Sequence, residues 1–433
     1  MKLRPAKMLS GTVRLPGDKS ISHRAAMFAA MADGETAIDN FASSSDCAST
    51  LSCLQGLGVE IGREGSTVTI RGVGKAGFRA PAGPLDCGNS GTTMRLLSGI
   101  LAGQKFDSVL IGDESLQSRP MKRVIAPLSK MGAEIGSEDG RAPLEIHGVQ
   151  PLRAFDHELQ VASAQIKSCL LLAGLNADGT TMVLEPTPTR DHTERMLRWF
   201  GVDLEEVTSP AGKKIYISGA GRLTAKDFSV PSDVSSAAFF MVAAACLPGS
   251  EITLENVGLN PSRTAIIDVL QGLGAFIEIN NKRDVCNEPV GDITVRGGAQ
   301  AAEASGNNLV SGNVIANLID EVPILAVFGT QIDGGLEVRD AAELRVKESD
   351  RIAAVVTNLK RMGAAIEEFP DGFRVEQSKL KGAVVDSYGD HRIAMAFAVA
   401  GLMAEGETAI TGAESAAVSF PEFFATLQQV VKY

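Results

Sequence analysis

The sequence predicts an α/β protein of two similar domains, each built from three copies of one mixed unit. Two recurring phrases indicate this. The first is an apolar run that leads through a glycine turn into a strand-like segment. Its six copies lie 69 to 85 residues apart and are centred on Gly34, Gly103, Gly179, Gly249, Gly334 and Gly406. The second has the form L-x-x-h-G, h being apolar or aromatic, and its five copies end at Gly58, Gly132, Gly201, Gly274 and Gly363.

Both phrases describe a helix that ends and a strand that follows. Glycine is the usual residue where a helix ends in a left-handed cap, and alternating β-branched residues afterwards are the strand signal. The two phrases alternate along the chain with a similar spacing, which predicts six repeats. The domain boundary is expected near Phe228 to Asp233, where FSVPSDVSSAAFFMVAAA opens a new helix with Ser and Asp in capping positions.

Composition excludes several classes of protein. The 433 residues are 44% hydrophobic with charges of both signs throughout, so disorder of the whole chain is not expected. The first residues lack the apolar stretch of a secretory signal, and the most apolar windows, Ala237 to Leu247 and Ile393 to Ala404, are too short to span a bilayer. A cytoplasmic protein with no membrane partner is expected. A net charge of −11 with one Trp and three Tyr argues against a nucleic-acid partner.

The six cysteines are far apart and form no C-x-x-C pair. No histidine lies near them at metal-ligand spacing. The pattern therefore favours buried free thiols over disulfides or a zinc site.

Cations recur at the starts of apolar helices in the first half. In LPGDKSISHRAAMFAA, Asp18 or Ser20 can cap a helix, which places Lys19, Ser20 and Arg24 at its N-terminus and predicts an anion site. His23 is more often a packed or an exposed histidine than a base in such a position. An ordinary capped helix with surface cations remains the alternative reading.

Three further polar segments interrupt the first half. LDCGNSGTTMRLLSGILAG supplies Gly91 and other small residues that let ligand atoms approach the backbone, but it is not a nucleotide-binding motif. GDESLQSRPMKR holds Arg119 in extended backbone before Pro120. ASAQIKSCLLLAGL places Ser163 and Gln165 ahead of a buried helix.

The second half carries cations together with carboxylates. In LRVKESDR, Lys347 and Arg351 are four residues apart and are predicted to share one helical face beside Glu348. A salt-bridge ladder within the helix would also explain this pattern. In GDHRIAMAFA, Arg392 begins an apolar helix and needs an anionic partner, and LIDEVPILAVFG places Asp320 before another. The sequence thus predicts a site between two domains for a small, multiply charged anion.

These motifs together resemble a known family. PGDKSISHR, GNSGTTMRLLSG, GDESLQSRPM, SAQIKS, TRDHTE, LIDEVP, RVKESDR and GDHRIAMA are similar, in order and over nearly the whole chain, to 5-enolpyruvylshikimate-3-phosphate synthases of the bacterial branch typified by GNSGT. The resemblance implies two domains of three βαβαββ repeats each, an inside-out α/β barrel with sheets facing outward around buried helices, and an active site in the interdomain cleft. It also implies that residues 1–17 complete the C-terminal-type domain of residues 234–433, while residues 18–233 form the N-terminal-type domain.

The implied reaction transfers the enolpyruvyl (carboxyvinyl) group of phosphoenolpyruvate to the 5-hydroxyl of shikimate 3-phosphate and releases phosphate. Addition and elimination through a tetrahedral intermediate are expected, as is a step in the shikimate pathway to chorismate and the aromatic amino acids. No metal or organic cofactor is needed, and a monomer is expected.

The resemblance assigns a role to each matching residue. Catalytic roles fall on Asp320, Glu348 and Lys19. The residues that match shikimate-3-phosphate ligands are Lys19, Ser20, Arg24, Ser163, Ala164 (through its backbone), Gln165, Arg190, Asp320 and Lys347. Those that match phosphoenolpyruvate ligands are Lys19, Gly91, Arg119, Gln165, Arg351 and Arg392. Guanidinium groups suit carboxylate and phosphate because they pair with two oxygens at once.

Two positions depart from some relatives. Val418 stands at or near the place where some members carry a lysine before the Phe-Pro pair, and Thr189-Arg190 stands where some use a tyrosine against the shikimate ring. Both differences concern ligand contacts and leave the reaction type unchanged.

Two alternatives remain. Enzymes that transfer enolpyruvyl to UDP-N-acetylglucosamine share the repeats, but they begin with Lys-Asn where this chain has Lys19-Ser20 and carry a reactive cysteine that is missing from Gly112 to Pro120. A non-catalytic anion-binding scaffold is the other. Asp320 and Glu348 argue against it, because a carboxylate in a cationic site repels the ligand.

Overall fold

The computed structural model describes residues 1–298 and 308–433 as an α/β protein. The chain folds into two compact units. Unit 1 comprises Met1–Pro16, Pro231–Asp284 and Pro289–Tyr433, and unit 2 comprises Gly17–Val230 with Val285–Glu288. The α/β class predicted from the repeats is confirmed.

The helices and strands are numbered in chain order. The helices are α1 (Lys19–Met31), α2 (Ser45–Gly56), α3 (Gly91–Ala102), α4 (Glu114–Ser118), α5 (Lys122–Lys130), α6 (Ala164–Gly174), α7 (His192–Trp199), α8 (Val234–Cys246), α9 (Ala265–Gly272), α10 (Val314–Leu318), α11 (Val322–Gly329), α12 (Arg351–Arg361), α13 (His391–Met403) and α14 (Phe423–Val430). The strands are β1 (Lys2–Leu3), β2 (Met8–Arg14), β3 (Asp33–Asp39), β4 (Glu60–Glu64), β5 (Thr67–Val73), β6 (Leu85–Asp86), β7 (Asp107–Ile111), β8 (Glu134–Glu138), β9 (Arg141–His147), β10 (Leu152–Arg153), β11 (Asp156–Glu158), β12 (Ala177–Asp178), β13 (Thr180–Glu185), β14 (Leu204–Ser209), β15 (Gly212–Ser218), β16 (Phe228–Ser229), β17 (Glu251–Gly258), β18 (Phe276–Val285), β19 (Glu288–Arg296), β20 (Leu309–Val310), β21 (Leu336–Val338), β22 (Ile366–Phe369), β23 (Gly372–Val375), β24 (Val384–Asp386), β25 (Thr408–Thr411) and β26 (Val431–Lys432).

Unit 2 contains three four-stranded sheets with one topology. Their orders are β16-β3-β5-β4, β6-β7-β9-β8 and β11-β13-β15-β14. In each sheet the first two strands are parallel and the other pairs antiparallel. Because β16 lies at the end of the unit and pairs with β3 near its start, the last strand of the unit completes the first sheet.

The described residues of unit 1 form three corresponding sheets, two of which use the beginning of the chain. Their orders are β18-β19-β17-β2-β26, β20-β21-β23-β22 and β1-β25-β24. The parallel pair of β2 with β17 and the antiparallel pair of β1 with β25 bring Met1–Pro16 into this unit.

Helices form the centre of each unit. In unit 2, α1 and α6 both pack against α3, and in unit 1, α8, α11 and α13 pack against one another. Every residue of α11 is buried, and so is every residue of α13 except Met403. A helix that is apolar on all sides requires such surroundings, so the apolar windows at Ala237 and Ile393 are core helices, as the sequence predicts.

The helix-end glycines have the predicted conformation. All five glycines of the L-x-x-h-G phrase have positive φ, from +83° at Gly363 to +107° at Gly132. A side chain would be strained in this left-handed region, which explains the recurrence of glycine.

Three further expectations can be compared with the described residues. The six cysteines are free, four of them buried and Cys246 and Cys286 half-buried. Residues 1–298 and 308–433 contain no group of three or more His, Cys, Asp or Glu side chains placed to hold a metal ion. Within the same ranges, none of the helices has the length and apolar character needed to cross a membrane.

Candidate active site

The first cationic segment begins a capped helix in unit 2, as predicted. The Asp18 carboxylate accepts a hydrogen bond from the Ile21 amide at 2.8 Å and so caps α1. Lys19 Nζ lies 2.8 Å from Asp46 Oδ2. Ser20 is half-buried at the same helix end. The cap and the cation place free amides and positive charge together, which suits an anion.

Arg24 lies one turn further along α1 and is buried. Its guanidinium donates to Thr193 Oγ1 at 2.8 Å, to Ser168 Oγ at 2.8 Å and to the Ser20 carbonyl at 2.9 Å. These three hydrogen bonds fix the direction of the Arg24 guanidinium near the N-terminus of α1.

His23 is a packed histidine, one of the two states that the sequence favours over a base. Its Nδ1 lies 2.6 Å from Thr50 Oγ1, and Thr50 Oγ1 lies 2.7 Å from Thr93 Oγ1. Burial lowers the pKa of His23 well below its usual value, and the charges of Lys19 and Arg24 lower it further. A neutral imidazole thus begins a buried hydroxyl chain from α1 to the first turn of α3.

The N-terminus of α3 brings two arginines to Gly91. Ser90 caps the helix by accepting from the Thr93 amide at 3.1 Å. A Cβ built on Gly91 would lie 3.0 Å from Arg95 Nη1 and 3.4 Å from Arg119 Nη1. Arg119 also donates to Asn89 Oδ1 at 2.8 Å and to Ser115 Oγ at 3.2 Å. Two guanidinium groups therefore come close to Gly91, and its φ angle is not in the left-handed region.

Gln165 joins this group from α6. Its Oε1 accepts from Arg95 Nη1 at 2.5 Å, and its Nε2 donates to Thr92 Oγ1 at 2.9 Å. Ser163 caps α6, its Oγ accepting from the Ile166 amide at 3.4 Å, and Ala164 is the first helical residue. We call Lys19, Arg24, Arg95 and Arg119 the cation cluster of unit 2.

A buried ion cluster lies one turn further along α6. Lys167 Nζ lies 3.0 Å from Glu185 Oε2 and 2.7 Å from Glu194 Oε1. Burial lowers the pKa of Lys167, but the charges of Glu194 and Glu185 outweigh it and raise the pKa overall. Burial raises the pKa of Glu185 despite the nearby Lys167 and the Thr189 hydroxyl.

The segment between β13 and α7 carries Arg190, which is half-buried. Thr189 Oγ1 donates to Glu185 Oε1 at 2.5 Å on one side of it. On the other side, His192 Nδ1 lies 2.7 Å from Glu288 Oε1, both side chains being buried. Arg190 is thus flanked by two anchored residues.

Unit 1 gathers charges of both signs around Arg351, which is 1% exposed. Arg351 Nε lies 2.8 Å from Asp390 Oδ2, Nη1 lies 3.3 Å from Asp320 Oδ1 and Nη2 lies 2.5 Å from Glu348 Oε2. Burial lowers the pKa of Arg351, but the charges of Asp390, Glu348 and Asp320 outweigh it and raise the pKa above its ordinary value. The guanidinium therefore stays charged and fixes three carboxylates.

Asp320 is approached by two more cations. Its Oδ1 lies 3.7 Å from Lys347 Nζ and 3.8 Å from Arg392 Nε. Arg392 Nη1 also donates to the Asp320 carbonyl at 2.9 Å, so this arginine has the anionic partner that its place at the start of α13 requires. We call Asp320, Lys347, Glu348, Arg351, Asp390 and Arg392 the mixed cluster of unit 1.

Arg392 also contacts a polar network that includes Glu321, Ser235 and Arg263. Its Nη1 lies 3.5 Å from Glu321 Oε1. Ser235 donates a very short hydrogen bond to the same oxygen, and Arg263 Nη2 donates to Ser235 Oγ at 2.7 Å. Glu321 is the N-cap residue of α11, so a second carboxylate lies beside Asp320 at the start of that helix.

One local prediction is wrong. Lys347 and Arg351 do not share a helical face, because the 3₁₀ helix Ala342–Val346 ends before Lys347 and α12 begins only at Arg351. Asp350 caps α12 by accepting from the Ala353 amide at 3.0 Å. The helix cannot extend back past its cap, and Glu348 therefore meets Arg351 across a turn.

Sequence reasoning missed the cluster residues Arg95 and Asp390, and also Asp46, which pairs with Lys19. Arg95 follows Gly91 by four residues in a helix, a spacing that could have placed both on one face. Asp390 precedes Arg392 at a helix start, where an N-cap carboxylate is expected. Asp46 has no comparable signal, since only the packing of α2 beside α1 brings it to Lys19.

Comparisons with known proteins identify the family. The family model described as EPSP synthase (3-phosphoshikimate 1-carboxyvinyltransferase) matches residues 3–427. The 3-phosphoshikimate 1-carboxyvinyltransferase of Solibacter usitatus is 50% identical, with 100% of this chain and 99% of the relative covered. The enzyme of that name from Salinibacter ruber is 52% identical over 98% of each chain.

A solved structure agrees. EPSP synthase from Acinetobacter baumannii is 44% identical, with a TM-score of 0.88 over 99% of this chain and 97% of that one. The chain belongs to the EPSP synthase family. It transfers the enolpyruvyl group of phosphoenolpyruvate to the 5-hydroxyl of shikimate 3-phosphate and releases phosphate, a step in aromatic amino-acid biosynthesis.

Proposed function

We propose that the two clusters divide the work of this EPSP synthase, the cation cluster of unit 2 binding anionic groups and the mixed cluster of unit 1 moving protons. The observation that carries the proposal is the pair of carboxylates on Arg351. Asp320 and Glu348 both contact this buried guanidinium, at 3.3 and 2.5 Å. Two carboxylates fixed among cations suit acid–base chemistry on an anionic substrate.

Shikimate 3-phosphate is bound mainly by helix starts of unit 2. The proposed ligands there are Lys19, Ser20, Arg24, Ser163, the Ala164 backbone, Gln165 and Arg190. Amides and hydroxyls at the N-termini of α1 and α6 donate to the phosphate, and Arg24 and Arg190 supply charge. Asp320 and Lys347 of unit 1 contact the reacting hydroxyl side.

Phosphoenolpyruvate is bound by residues whose guanidinium and ammonium groups match its carboxylate and phosphate. The proposed ligands are Lys19, Gly91, Arg119, Gln165, Arg351 and Arg392. The distances at Gly91 support this, because a missing side chain between Arg95 and Arg119 leaves room for an anion against the helix N-terminus.

The reaction proceeds by addition and elimination through a tetrahedral intermediate. The oxygen of the 5-hydroxyl attacks C2 of phosphoenolpyruvate while Asp320 accepts the hydroxyl proton. Glu348 donates a proton to the methylene carbon, which becomes a methyl group. In the elimination step the methyl group returns a proton to Glu348, the double bond forms again and phosphate leaves, assisted by Lys19. Arg351 pairs with Glu348 before substrate arrives, and the negative charges of the two substrates compete for this cation, which favours a protonated Glu348.

Phosphate release tests the substrates. Phosphoenolpyruvate with shikimate 3-phosphate should release phosphate, and phosphoenolpyruvate with UDP-N-acetylglucosamine should not. Release with the nucleotide sugar would contradict the assignment of the acceptor. Light scattering on the purified protein tests the expected monomer, and cell fractionation tests the expected cytoplasmic location.

A further inference from the structure

The buried ion cluster of Lys167, Glu185 and Glu194 has no part in the chemistry above. The three side chains are 0%, 1% and 0% exposed. Lys167 belongs to α6, Glu185 is the last residue of β13 and Glu194 lies in the first turn of α7. The cluster therefore joins the three elements that surround the Thr189–Arg190 segment and the first turn of α6.

Stability alone does not explain this cluster. Removing three charges from water carries a large desolvation cost, and apolar side chains of similar volume usually fill such a place at least as well. Two carboxylates also share one ammonium, so the cluster is not neutral when all three groups are ionised. The contacts of the cluster therefore indicate that it serves to hold neighbouring residues in position.

Glu185 makes the connection to the segment that carries Arg190. Its Oε2 pairs with Lys167, while its Oε1 accepts from the Thr189 hydroxyl at 2.5 Å. Thr189 immediately precedes Arg190, so this bond fixes the backbone from which the Arg190 side chain departs.

A second bridge runs beside the ionic one. Ser168 Oγ and Thr193 Oγ1, the neighbours of Lys167 and Glu194 in α6 and α7, lie 2.6 Å apart. Both accept from Arg24. The ionic bridge and the hydroxyl bridge together set the relative position of α6, α7 and the Arg24 guanidinium.

We propose that Lys167, Glu185 and Glu194, acting through Thr189, are positioning residues for shikimate 3-phosphate. They hold Arg190 and the first turn of α6 in the arrangement that receives the acceptor. The inference rests on the proposed role of Arg190 and of the α6 residues as acceptor ligands. It predicts an effect on the KM for shikimate 3-phosphate that exceeds any effect on kcat or on the KM for phosphoenolpyruvate.

The experiment compares two substitutions of the half-buried Thr189. Thr189→Val keeps the shape but removes the hydroxyl, and Thr189→Ser keeps the hydroxyl. Thr189→Val should raise the KM for shikimate 3-phosphate about 10-fold, the size of one hydrogen bond to a charged group. Thr189→Ser should change the KM for shikimate 3-phosphate less than about twofold. Neither variant should change kcat or the KM for phosphoenolpyruvate by more than about twofold.

Substitutions at Glu185 test the same hydrogen bond from its acceptor side. Glu185→Gln keeps an oxygen acceptor for Thr189 and should retain most of the affinity for the acceptor. Glu185→Leu removes it and should match Thr189→Val, while Lys167 keeps Glu194 as its partner. The double variant Thr189→Val/Glu185→Leu should be no worse than either single one, since both remove the same bond.

Arg190→Ala separates failure of this inference from failure of the proposed function. If Arg190→Ala raises the KM for shikimate 3-phosphate and Thr189→Val does not, the positioning role is overturned and the ligand role stands. If Arg190→Ala has no effect, the ligand role of Arg190 is overturned. Equal changes in kcat and in both KM values for Thr189→Val, or additive effects in the double variant, would also overturn the inference.

Discussion

The cation cluster of unit 2 and the mixed cluster of unit 1 hold their arginines in different ways. In unit 2, Arg24, Arg95 and Arg119 donate to hydroxyl, amide and carbonyl oxygens. In unit 1, Arg351 donates to three carboxylates. The hydroxyl, amide and carbonyl acceptors of unit 2 orient the guanidinium groups, whereas the contacts of Arg351 fix the carboxylates of unit 1 in place for proton transfer. Substitutions of the unit 1 carboxylates Asp320 and Glu348 should therefore lower the rate, and substitutions of the unit 2 arginines should lower affinity.

The largest effect is expected from the carboxylates of unit 1. Asp320→Asn and Glu348→Gln should each lower kcat by roughly 10²- to 10⁴-fold, the usual contribution of one general acid or base. Neither should change the KM values by a comparable factor, because the arginine contacts with substrate remain. Steady-state kinetics measure this, with Glu367→Gln, an exposed glutamate of β22, as the matched control.

Deuterium incorporation separates the two carboxylates. In heavy water, Glu348→Gln should suppress entry of deuterium into the methylene group at early turnover. Asp320→Asn should mainly block formation of the tetrahedral adduct. Normal turnover by Glu348→Gln would return that residue to a structural role.

Arg119 provides the corresponding test in unit 2. Arg119→Gln should raise the KM for phosphoenolpyruvate roughly 10- to 100-fold, the loss of hydrogen bonds to a charged ligand, with a smaller change in kcat. Arg123→Gln removes the same charge from an exposed position four residues further along and should change KM less than about twofold. A fall in kcat without a change in KM would contradict the division between the units.

His23 is expected to make the stability of the chain depend on pH. Its pKa is lowered by burial and then by Lys19 and Arg24, from an ordinary value of 6.5. As pH falls below that value the unfolded chain binds a proton that the folded chain refuses, so stability falls, by at most about 1.4 kcal/mol per pH unit for this one group. Urea unfolding between pH 7 and 5 should show a shallower loss for His23→Asn than for the parent chain.

The control for this measurement is the same pair of proteins between pH 8 and 9, above the ordinary pKa of a histidine. There the slopes of His23→Asn and the parent chain should agree, since the lowered pKa of His23 leaves the imidazole neutral. An unchanged slope for His23→Asn would show that the buried imidazole is protonated to the same extent in the folded and unfolded chains.

The smallest effect is expected at Gly91. In Gly91→Ala the added methyl would lie 3.0 Å from Arg95 Nη1, and the flexible guanidinium should give way by a few tenths of an ångström. We expect a rise of roughly 2- to 10-fold in the KM for phosphoenolpyruvate and little change in kcat, since less than one hydrogen bond is lost. Gly62→Ala, where the added Cβ meets nothing within 4 Å, is the matched control.

The sequence predicts the fold better than it predicts the side-chain partners. Repeated glycines at fixed places mark the helix ends, and all five of the L-x-x-h-G glycines have the positive φ that this phrase implies. The capped starts of α1 and α6 were also readable, because a cap and its amide lie within three residues. The Lys347–Arg351 helix was predicted wrongly because the same charge spacing occurs in a turn before a capped helix.

Local chemistry along the chain therefore determined the repeats, the helix starts and the family motifs. Only the tertiary structure decided which charges meet. Arg24 and Thr193 are 169 residues apart in sequence, Arg392 and Asp320 are 72 apart, and Arg351 and Asp390 are 39 apart. A capping bond depends on backbone geometry over one turn, whereas these contacts depend on how whole helices pack. Gly91 combines both kinds of information, since its position at the start of a helix is predicted from the sequence, whereas its closeness to Arg119 depends on the tertiary structure.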